Sequence, residues 1–162
     1  MAQKQVAVGV YWEHHAWQQA RSAYLVDLDL DPASPDVFGQ WLTRVVIRYA
    51  AMTPTGRTRK LSTLRTPPKD GRPGVSRMMP LPEVTLELVD SAIVDDRVTA
   101  GRVVSRSEFI RQAALVAADA SRTRLGRELP PPPARLPYRP PRRPSSGAAN
   151  AHSTDERAAR GR

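Results

Sequence analysis

The chain has 162 residues, 16 prolines, no cysteine and a formal charge of +9. That length allows one domain or two very small ones, and the lack of cysteine excludes disulfides and thiolate metal sites. No apolar run approaches the roughly 20 residues of a membrane span, and Val6 to Trp12 is too short for a signal-peptide core, so a soluble, cytoplasmic protein without a membrane partner is expected.

The charge is unevenly placed: −1 over residues 1–52, +6 over 53–80, −3 over 81–120 and +7 over 121–162. The apolar, foldable segments are slightly acidic, and the segments between and after them hold the positive excess. Basic arms on a compact body suit a polyanion, because each neutralised phosphate releases counterions.

Along the chain, Gln5 to Tyr11 alternates like a strand, with Val6, Val8 and Val10 on one face. Glu13 to Leu28 reads as a helix burying Trp17, Ala20 and Tyr24, with Leu25 and Leu28 as further candidates. Ser34 suits an N-cap, Pro35 the first helical position and Asp36 the positive end of a helix dipole. Trp41, Leu42, Val45, Val46 and Tyr49 then form one helical stripe. Gly39 inside that helix costs roughly 1 kcal/mol against alanine. Residues 1–52 thus form a first unit.

Residues 53–80 read as a basic Pro/Gly linker. Thr53-Pro54-Thr55-Gly56 stops the helix, and Pro67-Pro68, Asp70-Gly71, Pro73-Gly74 and Pro80 keep the chain extended or turning. Such a linker lets two strands of one chain pair with each other, or lets each pair with its copy in another chain. Both arrangements stay open at this level.

A second unit spans 81–126. Glu83 to Leu88 alternates, so Val84, Leu86 and Leu88 would face inward and Glu83, Thr85 and Glu87 outward. A short helix and a turn at Gly101 follow. Ser105 and Glu108 are spaced as a capping box, with Val104 and Phe109 as a hydrophobic staple. Phe109, Ile110, Ala113, Ala114 and Ala117 repeat the spacing of the Trp41 stripe at an offset of 68 residues. The units are not equally spaced on this reading: Val8 to Trp41 is 33 residues, whereas Leu86 to Phe109 is 23.

Residues 127–162 read as a disordered Pro/Arg-rich tail of polyproline type. Its PxxP spacing resembles ligands of proline-recognition modules, and a stiff basic arm along a phosphate backbone is the preferred role. A solubilising tail is the alternative.

Motifs for chemistry are absent or fail. Asp27, Asp29 and Asp31 begin like a calcium loop, but Pro32 and Phe38 occupy the places of the required Gly and bidentate Glu. His14 and His15 are adjacent, whereas a zinc pair on one helix face needs a spacing of three or four. No nucleophile–base set or phosphate loop stands out. No catalysis, metal or cofactor is expected.

The string Ser105-Arg106-Ser107-Glu108-Phe109-Ile110-Arg111, with Ala113, follows a strand, a helix and a glycine turn. It resembles the ribbon-helix-helix family of DNA-binding proteins. The resemblance implies a mainly α fold with short β-strands: tandem strand-helix-helix units forming an intertwined dimer or pseudo-dimer, the paired strands entering the DNA major groove. Ribbon contacts would come from Gln5, Ala7, Gly9, Thr85 and Glu87, with Gln5 reading adenine, Thr85 a thymine methyl and Glu87 cytosine N4. Ala7 and Gly9 would allow close approach. Phosphate contacts would come from Ser105, Arg106 and Ser107 at a helix start and from Arg135, Arg139, Arg142 and Arg143 in the tail. The expected function is duplex DNA binding as a plasmid partition (centromere-binding) factor or transcriptional repressor, nucleoid or plasmid associated. Its partners would be double-stranded DNA, further copies of itself and a partition ATPase. An antitoxin or assembly scaffold, using the fold for protein–protein interaction, is the alternative.

Overall fold

The computed structural model describes residues 2–65, 67 and 70–142. Among these the chain is mainly helical, with one small antiparallel sheet. The order is β1 (Gln5–Trp12), α1 (His14–Leu30), α2 (Phe38–Ala51), α3 (Pro54–Thr63), β2 (Val75–Pro82), α4 (Glu83–Ala100) and α5 (Arg106–Leu125).

The alternation in β1 buries Val8, Val10 and Trp12 and exposes Gln5, Ala7, Gly9 and Tyr11. Its partner is β2 of the same chain, with Gln5 opposite Pro82, Val8 opposite Met79 and Trp12 opposite Val75. Pro80 and Pro82 fit because both strands of a two-stranded ribbon are edge strands.

This corrects the expected second strand. Glu83 to Leu88 is the start of α4, which buries Thr85, Leu86, Val89, Ala92 and Asp96. Six residues cannot separate a period of 2 from one of 3.6; the pattern continued to Asp96 is helical. With the strand at 75–82 the halves match. The two strands begin 70 residues apart, the first helices 69 apart and the second helices 68 apart.

The segment 53–80 is therefore more than a linker. Thr53 Oγ1 accepts the Gly56 N–H at 3.0 Å and Pro54 takes the first helical position, so the expected stop signal starts α3. Ser34 is not a helix cap. It is buried, its N–H donates to the Asp31 carbonyl at 3.0 Å, and α2 begins only at Phe38 behind Val37. The Tyr24 hydroxyl, which donates to the Asp36 carbonyl at 2.8 Å, holds the intervening loop out of the helix.

α2 and α5 pack together centrally, α1 lies mainly along α5, and α4 lies mainly along α2. The two stripes meet there: Trp41, Leu42, Val46 and Tyr49 with Phe109, Ile110, Ala113 and Ala114, closed on one side by Val10, Trp12 and Leu81 of the ribbon. Each such large side chain, once buried, contributes about 1.5–3 kcal/mol. Ser105 caps α5 by accepting the Glu108 N–H at 3.1 Å, but the Glu108 carboxylate accepts from Gln112 instead of completing the box. Gly101 and Gly126 end α4 and α5 with φ of 64° and 75°, the left-handed conformation glycine adopts without a Cβ clash.

Residues 127–142 are not a free arm. They lie against α1: Ser22 Oγ donates to the Pro130 carbonyl at 2.8 Å, Arg21 donates to that of Pro133, and Pro140 is buried. Leu129 and Leu136 pack against the core. A polyproline-type segment makes no internal hydrogen bonds, so its carbonyls are open to donors from α1.

Candidate nucleic-acid interface

The outer ribbon face carries Gln5, Ala7, Gly9 and Tyr11 from β1 and Ser76, Met78 and Pro80 from β2. Ala7 faces Pro80, Gly9 faces Met78 and Tyr11 faces Ser76. Met78 is 66% exposed and Tyr11 48%. Tyr11 lies over Gly74, where an added Cβ would come within 2.3 Å of the Tyr11 hydroxyl and 2.7 Å of the Trp12 carbonyl. Gly74 is therefore set by a close approach. Polar side chains on this surface are few: the Gln5 amide and the hydroxyls of Ser76 and Tyr11.

Cations border the ribbon. Arg111 donates to the Tyr11 carbonyl at 2.9 Å, Lys4 pairs with Glu83 at 3.0 Å, and Arg72 lies 3.2 Å from His14 Nε2. Arg77, opposite Val10, stacks on the Trp17 ring at 4.6 Å.

Of the expected ribbon readers, Gln5, Ala7 and Gly9 share this face. Thr85 and Glu87 do not, because they belong to α4. Thr85 is buried with its hydroxyl unpaired, and Glu87 is exposed on the helix surface. On β2 the exposed residues of this face are instead Ser76 and Met78. Their signal was hidden because Arg77 interrupts the inward set of β2 and two prolines break its pattern.

Ser105, Arg106 and Ser107 do come together beside β1, at the start of α5. The Ser105 hydroxyl caps the helix, and Ser107 Oγ accepts the Tyr11 N–H at 2.9 Å. Arg106 forms a fork with Asp90 at 2.7 and 2.6 Å, which lowers the Asp90 pKa and raises that of Arg106 through the hydrogen bonds they share. The first backbone N–H groups of α5 still lack intrahelical partners, as at any helix start. α2 begins without a side-chain cap. Of the tail arginines, Arg135 and Arg139 are exposed, whereas Arg142 donates to the Pro32 carbonyl at 3.1 Å and to that of Ser34. Arg143 lies outside the described residues.

Two buried carboxylates anchor the scaffold behind the ribbon. Asp96 accepts from Arg57 at 2.8–3.2 Å and from Arg102. Arg57 also donates to the Tyr49, Ala50 and Met52 carbonyls at the end of α2, which would otherwise be orphaned. Asp27 accepts from Trp41 Nε1 at 2.8 Å, from Ser121 Oγ at 2.6 Å and from Arg124. Asp27 and Asp96 are 69 residues apart, the interval that separates the helices bearing them. That repeated aspartate was the available sequence signal for both networks.

A groove of about 280 Å³ between α1, α5 and the chain after α3 is lined by Glu13, His15, Leu64, Leu115, Asp119 and Arg122. Among the described residues no cluster of three His, Asp or Glu is placed to hold a metal, and no helix is long and apolar enough to cross a membrane. No family model, curated protein or solved structure matches the chain.

Proposed function

We propose that the chain is a single-chain ribbon-helix-helix pseudo-dimer that binds duplex DNA, serving as a plasmid partition factor or transcriptional repressor. The observation that carries this reading is the pairing of β1 with β2, from two halves of matched spacing, with an outer face that the core does not use. The ribbon would enter the major groove and the starts of α2 and α5 would meet the flanking phosphates. Gln5 can pair bidentately with adenine, and Ala7, Met78 and the Tyr11 ring can pack on thymine methyls. Arg72 and Arg111 would supply phosphate contacts, extended by Arg135 and Arg139. Because the two strands differ, the site read would be non-palindromic.

The test is an electrophoretic shift on DNA flanking the protein's own coding sequence against random DNA, titrated with salt. Preference for the flanking DNA should survive from roughly 50 to 200 mM salt while overall affinity falls. Met78→Glu should abolish binding and Gln5→Ala should relax preference at one or two base pairs, at about 1–3 kcal/mol each. Absence of binding at low salt overturns the reading.

One observation favours a second reading, an assembly scaffold: Arg106 and Ser107 are already engaged by Asp90 and β1. In that case neither ribbon variant alters whatever weak DNA binding remains.

A further inference from the structure

Gly9 and Met78 face each other on the outer side of the ribbon and are 69 residues apart, the interval that separates α1 from α4. Each is therefore the other's counterpart, and the pseudo-two-fold axis relating the halves passes between them. A Cβ on Gly9 would lie 3.7 Å from Met78 Sδ, so the methionine occupies the centre of the outer face. The ribbon differs on the two sides of this centre. At one end stand Tyr11 and Ser76, both bearing hydroxyls. Their counterparts at the other end are Pro80 and Ala7, which have no polar side-chain group.

The helix that starts beside each end differs in the same sense. α2 and α5 correspond at an interval of 68 residues, so Ser105, Arg106, Ser107 and Arg111 of α5 answer to Val37, Phe38, Gly39 and Thr43 of α2. Arg111 donates to the Tyr11 carbonyl and Ser107 Oγ accepts the Tyr11 N–H. At the other end Pro80 has no N–H to give, and Gly39 has no hydroxyl to receive one. Phe38 packs on Trp17, Tyr24 and Trp41. The Thr43 hydroxyl donates to the Gly39 carbonyl at 2.9 Å. Hydroxyl and guanidinium groups are thus gathered at one end of the ribbon and missing together from the other, although the two backbones correspond.

Resting on the DNA reading above, we infer that the duplex is read from one side of the axis. The Tyr11–Ser76 end, with Arg106 and Arg111, would supply most of the base discrimination and phosphate contact. The Ala7–Pro80 end would lie on the duplex with the Gln5 amide as its one hydrogen-bonding side chain on the outer face. Side-chain chemistry sets this direction. A hydroxyl can donate to or accept from a base edge, whereas an apolar side chain distinguishes only the thymine methyl. Each guanidinium placed on a phosphate adds affinity by releasing counterions. The DNA element would then be one half-site of fixed orientation instead of a pair.

The test takes the full-length protein on the DNA it shifts at low salt, with phosphate-ethylation interference and substitution of each base pair across the footprint. Interfering phosphates and costly substitutions should cluster on one side of the footprint's centre. Ser76→Ala should relax discrimination on that side by roughly fivefold or more. The chain has no cysteine, so an iron chelate on a Glu83→Cys variant labels one position only, exposed beside Lys4 at the far end of the ribbon. It should cut DNA on the side without interference. Effects spread evenly about the centre, cutting on the interfering side, or an unaltered preference in Ser76→Ala would overturn this inference and leave the DNA reading standing. Absence of any shift would overturn both.

Discussion

Asp27 and Asp96 hold matching places on the first helices of the two halves, but they are held there in different ways. Asp96 is fully buried and its partner Arg57 is 1% exposed, whereas Asp27 pairs with an Arg124 that is 45% exposed. The arginines also come from unlike elements, α3 in one case and the last turn of α5 in the other. In each half, the chain that follows the second helix returns to close the first helix of the opposite half. After α2 this is α3, which reaches Asp96. After α5 it is the helix end and the tail, which reach Asp27, Arg21 and Ser22. The framework is thus duplicated and the closures are individual: the end of α5 and the tail lie on α1, and α3 lies on α4.

The largest test of this asymmetry is a pair of substitutions. Arg57→Ala leaves Asp96 buried beside Arg102 alone and strips the end of α2, so it should cost about 3–5 kcal/mol in urea unfolding. Arg124→Ala removes a half-exposed partner and should cost about 1 kcal/mol or less. Equal losses would mean that the closures are equivalent after all. Truncation after Gly126 should come next. It uncovers α1 and removes the part-buried Leu129 and Leu136, a loss of about 2 kcal/mol. A truncated protein of unchanged stability would mean that the tail does not hold α1 in solution.

A smaller effect of opposite sign is expected at Thr85, whose counterpart on α1 is the buried Ala16. The Thr85 hydroxyl is buried without a partner, so Thr85→Val should stabilise by about 1 kcal/mol; a loss of stability in urea unfolding would contradict this. The smallest concerns Asp90, whose α1 counterpart is Arg21, so the ion pair with Arg106 belongs to one half only. Arg106 lowers the folded-state pKa of Asp90. The pair's stabilisation is therefore present above the ordinary carboxylate range and is lost as pH falls through the folded value. Asp90→Asn should remove that part of the acid limb of the stability curve. The effect is slight because both side chains are about half exposed.

How much of this was legible depends on the length of each periodic signal. β1, the Trp41 stripe and the Ser105-capped helix carry long or redundant patterns, and they fold where the pattern lies. β2 does not, because Pro80, Pro82 and Arg77 disguise a strand that only its pairing with β1 creates. Glu83 to Leu88 satisfies two periods at once, and the neighbouring turns of α4 decide between them. Thr53-Pro54 reads equally as the end of one helix or the beginning of another. Proline content foretold an extended tail, but composition cannot distinguish solvated chain from chain lying on α1. As a result Gln5, Ala7 and Gly9 were placed on the ribbon from sequence, whereas Ser76 and Met78 needed the fold.

The central claim is that the two strands of the ribbon belong to one chain. Its most direct test is the thermal unfolding midpoint of the full-length protein, followed across roughly two decades of protein concentration. Pairing of β1 with β2 within the chain predicts a single cooperative transition whose midpoint does not move. A midpoint that rises with concentration would show that the strands pair between chains, and would contradict the account.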